Sequence, residues 1–480
     1  MKKGILLAVL IVALLAMPAF ASVQNIKVSG DLENSWVVRN GFDFGEGAQD
    51  AKENDVISAL RLRVDADLTD NVSVVVRLLN ERVWGGDSRT LTDSNGDTVS
   101  IDNGNSNIDI DLAYVEMREM LYSPLTVTIG RQVLYYGNGL IIGDGPSNSS
   151  TGPLGKIAPD LSKVSGVDAI KAVLDYDPLT IDIFAAVIDS GTIGQITEDK
   201  SDDVNLYGIN ANYAFNDEKG TVAEAYFFSK VDSTPFATVT GDENDYDTVQ
   251  TPGFRVSSNI LDGLMVSGEL AWQFGKKVNG FSSLTAGESI DRNAMAAQLI
   301  ANYVIPFEKT KKYNPMLTTS YTYLSGDSTP DDAVTGGEKI VYTAWDPMYE
   351  GQGYGKIYNA IFSLTNCHVY SVALVAEVME DVMAKATWTG IWLDKKNNDA
   401  TWQPGNVYDN DDGTSALMAA YSVDKDKKAV GNEFDLELTY DYTEDVVIGL
   451  NTGIFLPGTV FTDANKDAAT QAILSVLVNF

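Results

Sequence analysis

The stretch Ala472-Ile473-Leu474-Ser475-Val476-Leu477-Val478-Asn479-Phe480 decides how this chain is read. Leu474, Val476, Val478 and Phe480 share one face at period two, the pattern of a strand with one apolar side. A strand of this kind closing on an aromatic carboxy-terminus is how bacterial outer-membrane barrels end. Its terminal Phe is what a barrel-assembly machinery is expected to read.

The other end of the chain carries a matching signal. Lys2 and Lys3 precede an apolar run from Ile5 to Leu15 and a small-residue site at Ala19-Phe20-Ala21. This is the layout of a secretory signal peptide, so residues 1–21 are expected to be removed and residues 22–480 to form the barrel. The apolar run is shorter than the roughly 20 residues a membrane helix needs, and no later segment reaches that length. An exported chain of this kind is periplasmic, secreted or a β-barrel. Composition favours the barrel: the 480 residues include 41 Gly and 22 Tyr but only 14 Pro, and the apolar residues come in short alternating runs.

The formal charge of -33 becomes about -35 once the two leader lysines leave, which argues against nucleic acid or an anionic lipid surface as a partner held by bulk charge. The single cysteine, Cys367, cannot form an internal disulfide, so stability must come from a closed hydrogen-bond ladder or from packing.

Alternation and turn residues predict a transmembrane antiparallel β-barrel of roughly 18 strands, each about ten residues long. The expected strands are 26–39, 57–68, 72–83, 108–117, 125–132, 167–176, 179–188, 206–214 and 222–230. The series continues with 253–259, 264–274, 294–303, 317–324, 369–378, 382–392, 433–440, 446–456 and 471–480. Short links such as Thr69-Asp70-Asn71, Asp177-Pro178 and Leu261-Asp262-Gly263 alternate with long polar ones such as 133–166 and 325–368. Both termini then fall on the short-turn, periplasmic side, and the strand number is even. Lipid cannot satisfy an open edge, so the sheet must close. A soluble sandwich or propeller also alternates, but it predicts neither the terminal Phe nor the short-long rule.

Closure turns parity into facing. In the second strand Leu60, Leu62, Val64, Ala66 and Leu68 are expected outside, with Arg61, Arg63, Asp65 and Asp67 inside. In the same way Phe434, Leu436, Leu438 and Tyr440 face lipid while Glu433, Asp435 and Glu437 face the lumen. A barrel this wide leaves a water-containing lumen. Its expected basic lining is Lys27, Arg39, Arg61, Arg63, Arg77, Lys171, Lys230 and Arg255. The acidic lining adds Asp31, Glu33, Asp109, Asp111, Asp182, Glu224 and Glu269 to the carboxylates already named. Ladders of such charges set pore selectivity, and facing pairs can instead neutralise and stiffen the wall. Trp36, Trp84, Trp272, Trp388 and Trp392 lie near strand ends, as an interfacial belt requires.

No cofactor is expected. Asp93-Ser94-Asn95-Gly96-Asp97, Asp409-Asn410-Asp411-Asp412-Gly413 and Asp463-Ala464-Asn465-Lys466-Asp467 set oxygen ligands at alternate residues, as calcium loops do, without completing the twelve-residue pattern. Divalent bridging to lipopolysaccharide at the outer rim is a related expectation. The one histidine, His368, would have to serve any hydrolase, and there is no Gly-x-Ser-x-Gly elbow or zinc spacing, so an enzyme is not expected.

Gly130-Arg131-Gln132 followed by Tyr135-Tyr136-Gly137-Asn138-Gly139 resembles the Gly-Arg-Gln strand end and glycine-rich loop of the alginate-export family of outer-membrane porins. Tyr321-Thr322-Tyr323-Leu324-Ser325-Gly326-Asp327 with Trp345-Asp346-Pro347-Met348-Tyr349 is similar to it as well. So are Asn432-Glu433-Phe434-Asp435-Leu436-Glu437 and Gly453-Ile454-Phe455-Leu456-Pro457-Gly458, which match its closing hairpin. The resemblance implies a monomeric 18-stranded barrel passing an anionic polysaccharide through a constriction lined by arginine and lysine. Only Arg131 is carried over by motif, and its parity with Ile129 places it outward unless a bulge intervenes. Inward acids are as numerous as inward bases here, a departure from the family pattern. The readings left open are therefore an anionic poly- or oligosaccharide channel, a general cation-selective porin, and a plugged barrel whose long loops bind a surface partner.

Overall fold

The structure, a computed structural model, describes residues 25–45, 52–84, 89–92, 98–101, 108–143, 159–190, 203–233, 246–278, 289–308, 311–327, 341–396, 401–402 and 421–480. The leader and the acidic stretches 93–97 and 409–413 lie outside these residues.

Eighteen strands form one closed antiparallel sheet. In chain order they are β1 (Asn25–Asn40), β2 (Lys52–Thr69), β3 (Val72–Val83), β4 (Asp109–Met117), β5 (Leu125–Gln132), β6 (Val167–Asp175), β7 (Leu179–Ser190), β8 (Asp203–Ala214) and β9 (Val222–Asp232). The second half is β10 (Asp247–Leu261), β11 (Leu264–Val278), β12 (Ser289–Val304), β13 (Met316–Leu324), β14 (Cys367–Met379), β15 (Val382–Leu393), β16 (Ala429–Asp441), β17 (Val446–Pro457) and β18 (Ala469–Asn479). Each strand pairs with its sequence neighbour, and β1 pairs with both β2 and β18 to close the ring.

Register explains the alternation. Leu32 stands opposite Leu60, Val28 opposite Val64, and Leu62 opposite Leu78, which builds an apolar outer face across three strands. Ile26 and Val28 on that face are exposed in the protein, as lipid contact demands. Trp36, Trp84 and Trp272 are exposed, while Trp392 meets Tyr370 edge-on at 5.5 Å.

Several strands run further outward than alternation suggested. β2 starts at Lys52 and β12 at Ser289, because the ladder continues past the lipid edge, where both faces are polar and parity carries no signal. β10 starts at Asp247 rather than at Gly253. Pro252 lacks an N–H and opens a gap in the pairing with β11, which resumes at Gln250 opposite Phe274.

At the seam, Gly30 N–H donates to the Phe480 carbonyl at 2.8 Å and Phe480 N–H to the Gly30 carbonyl at 2.9 Å. The Phe480 ring lies over Gly30, where a β-carbon would stand 2.7 Å from it and 2.6 Å from the Arg61 carbonyl. Deleting Phe480 should lower barrel stability by about 1–3 kcal/mol, from two seam hydrogen bonds and the ring's packing. The check is the temperature at which the folded form stops migrating separately from the denatured one on a gel; an unchanged temperature would refute the prediction.

Candidate functional site

Two inward loops fill one side of the lumen. The first, residues 133–143, leaves β5 and turns across the barrel. Tyr136 sits 5.4 Å from both Phe184 and Phe228, and Phe228 lies 4.7 Å from Tyr226, so wall and loop share one aromatic cluster. Gly137 N–H donates to Glu224 Oε1 at 3.0 Å and Asn138 N–H to Glu269 Oε2 at 2.8 Å. Asn138 also donates to Gln298 Oε1 at 2.9 Å and accepts from Arg255 Nε at 2.6 Å. Gly137 has φ of +61°, and a β-carbon there would lie 2.7 Å from Glu269, so both backbone and space require glycine.

The second loop, residues 341–366, begins as a short parallel addition to β12 and crosses to the opposite wall. Gln273 clamps Asp346 by accepting from its N–H at 2.8 Å and donating to its carbonyl at 2.7 Å. Burial, the largest influence on the Asp346 carboxyl, pushes it up. Lys230, Arg292, the Met348 N–H and Lys277 outweigh that and hold it below the ordinary carboxylate value. Helix α1 (Lys356–Ile361) follows, and Glu433 accepts from Ile357 N–H at 2.7 Å and Tyr358 N–H at 2.8 Å. The two loops are tied to each other: Tyr349 N–H donates to the Ile141 carbonyl, Gly143 N–H to Tyr349 and Gly351 N–H to Gly139.

An off-centre cavity of about 360 Å³ lies between α1 and the wall formed by β1, β2 and β16–β18. Glu33, Ser35, Asp160, Lys163, Lys356, Asn359, Glu437, Asn451 and Gln471 line it, together with apolar wall residues. Lys163 Nζ lies 2.9 Å from Glu33, and Lys356 Nζ lies 3.7 Å from Glu437, which also binds Lys385 at 2.9 Å. The lining thus pairs charges of opposite sign across a polar passage.

The residues expected to line a pore separate into groups. Lys27, Arg61, Arg63, Asp65, Asp67, Arg77 and Lys171 have inward register, but the arginines are bound along the wall: Arg61 to Asp31 at 2.9 Å, Arg63 to Asp65 at 2.7 Å and Arg77 to Asp111. Lys230, Arg255, Glu224 and Glu269 are inward and serve the loops. Glu433 and Asp435 also point inward, but they are buried, with Glu433 fully covered by α1. The helix N–H groups need an acceptor, and Glu433 supplies it instead of meeting water. Arg131, expected in the pore lining from the family motif, is instead outward: it pairs with Asp168 at 3.3 Å on the outer face, opposite Ala113, and no bulge reverses its parity. Asp109 is exposed at the start of β4, while a register shift beside Arg77 turns Asp111 inward beneath Arg77.

Strand parity could not reveal Lys163, Lys356 and Asn359, because none of the three sits on a strand. The only local hint is Gly353-Tyr354-Gly355, which permits a close turn just before Lys356. Cys367 is buried and inward, while His368 lies outward with Nδ1 2.9 Å from the Tyr321 hydroxyl. In the third acidic loop Asp463 pairs with Lys466, and buried Asn465 accepts from Ser422 N–H at 2.9 Å, so these oxygens are engaged within the protein.

Solved structures share the architecture. Pseudomonas aeruginosa OpdK with vanillate has a TM-score of 0.52 at 11% identity, covering 95% of this chain and 99% of that one. Pseudomonas aeruginosa OccK2 (OpdF) in complex with glucuronate gives 0.51 at 11%, covering 96% and 100%. Acinetobacter baumannii OccAB4 gives 0.52 at 10%, covering 96% and 99%. At these identities the likeness concerns the fold. No curated protein matches the chain. The family described as Alginate export matches residues 174–475, most of the barrel. With its closed 18-stranded sheet and that match, the chain belongs to the alginate-export family of bacterial outer-membrane porins.

Proposed function

We propose that solutes cross this porin passively through the off-centre cavity, and that they are hydrophilic, polyhydroxylated molecules of saccharide type. The observation that carries this reading is the cavity lining: the carboxylates Glu33, Asp160 and Glu437 stand among the ammonium groups of Lys163 and Lys356 and several amides and hydroxyls. Such a surface replaces a sugar's hydration without a strong net field. A second reading, an anionic poly- or oligosaccharide, is supported by the family match and by the inward Arg61, Arg63 and Arg77 nearer the periplasmic mouth. In either case the barrel is a monomer seated in outer-membrane lipid and lipopolysaccharide, delivered by the barrel-assembly machinery after loss of residues 1–21, and it performs no covalent chemistry.

The test is the reversal potential of the refolded protein in a planar bilayer under a potassium chloride gradient, repeated with an added oligouronide. Conductance with a reversal potential near zero is expected. Strong anion preference with block by the oligouronide would establish the second reading, and a silent bilayer would overturn both.

A further inference from the structure

We propose that Lys356, carried into the lumen by the loop between β13 and β14, is the charge that sets ion selectivity in the passage, rather than the arginines of the barrel wall. The proposal rests on the channel reading above.

The wall arginines have little charge to offer a solute. Arg61 directs Nε at both oxygens of Asp31, at 2.9 and 3.0 Å. Arg63 grips Asp65 with two nitrogens, and Arg77 is held by Asp111 and Ser165. Arg255 lies 3.5 Å from Glu224 and Arg292 lies 2.6 Å from Asp247. Close pairing of this kind reduces each arginine to a dipole at any distance larger than the pair itself. Of the two lysines lining the cavity, Lys163 is held at 2.9 Å by Glu33.

Lys356 differs in three respects. Its ammonium is 3.7 Å from Glu437, its side chain is 50% exposed, and Lys385 competes for the same carboxylate at 2.9 Å. Its base, in contrast, is fixed. Ile357 and Tyr358, which follow Lys356 in the first turn of α1, are buried, and their N–H groups are held by Glu433. Gly355 lies so close to Glu433 that a β-carbon would stand 2.4 Å from Oε2. The Tyr354 hydroxyl, pushed above its ordinary value chiefly by burial, stays a neutral partner for Gln298 at 2.7 Å and Thr322 at 2.6 Å. A half-exposed ammonium on a rigid mount therefore projects into a cavity whose carboxylates already hold other bases. Without it, each carboxylate would keep one base: Glu33 keeps Lys163, Asp160 keeps Arg39 and Glu437 keeps Lys385.

The experiment uses the full mature protein with Lys356→Gln, Lys356→Glu, Lys356→Arg and Arg61→Gln, each measured for reversal potential under a potassium chloride gradient. Lys356→Gln should raise the cation-to-anion permeability ratio roughly sixfold, since one charge about 8 Å away in water disfavours a cation about 2.4-fold and favours an anion by the same factor. Lys356→Glu should raise it further, and Lys356→Arg should leave it unchanged. In Lys356→Cys, a cationic thiol reagent should restore the original ratio and an anionic one should not; buried Cys367 leaves a low background. If the protein conducts but Lys356→Gln leaves the ratio unchanged, or Arg61→Gln moves it more, this assignment is wrong while the channel reading stands. A silent parent protein would sink both.

Discussion

Excising residues 344–362 and joining the ends with a short glycine-serine linker should raise single-channel conductance about threefold or more, because a ring of this strand number encloses an aqueous channel once nothing occupies it. The excised segment carries Trp345, Met348, Tyr354 and α1, all packed inside the sheet. Its removal also uncovers Glu433, Asp435, Gln273 and Gln298, whose polar atoms now bind the loop. The enlarged pore should therefore become cation-selective as well as wider. Current recordings in planar bilayers would show both changes. Unaltered conductance would mean that ions already bypass this segment.

Replacing Phe44 with Ala should cost about 3–5 kcal/mol of packing, the usual range for a fully buried aromatic ring. Phe44 is completely buried, with its ring 4.9 Å from Tyr421, 5.0 Å from Phe461, 5.4 Å from Phe455 and 6.2 Å from Phe362. Four separate connections meet the wall in that cluster: 41–45, 341–366, 421–428 and 458–468. The loss should fall mainly on these loops, since the strand ladder does not pass through Phe44. Hydrogen exchange should speed up in the four segments while β1 and β18 keep their protection. Equal loosening of strands and loops would show that the cluster belongs to the barrel's own cooperative unit.

The sheet was readable in the chain because lipid imposes one rule on every strand. Val72–Val83 and Leu125–Gln132 end where alternation and turn residues said they would. The rule weakens beyond the membrane, and for that reason residues 247–250 and 52–56 carry no strand signal in the sequence although both are strand in the fold. Parity also gave the facing of Glu224, Glu269 and Glu433, whereas the family motif put Arg131 in the pore lining and the structure sets it on the outer face. Parity could not say what these inward carboxylates meet, since an acid on a lumen wall can face water or accept from a folded-in loop with the same spacing. Gly137, Asn138, Ile357 and Tyr358 decide that question, and their backbone N–H groups have no side-chain signature. Lys356 was hidden for a related reason: its position depends on how residues 341–366 cross the lumen, which no local period records.

The tie between the two inward loops has a mechanical consequence. Residues 133–143 start from β5 and are gripped by β9, β11 and β12, while residues 341–366 start from β13 and are gripped by β15 and β16 through Thr389 and Glu433. Joined at Ile142 and Tyr349, they act as a cross-brace between distant sectors of the wall. An unbraced cylinder of this girth can flatten under lateral pressure in the bilayer, and its bore changes as it does. The braced one keeps its cross-section, so the bore of this porin is fixed by its internal strut more than by the membrane around it.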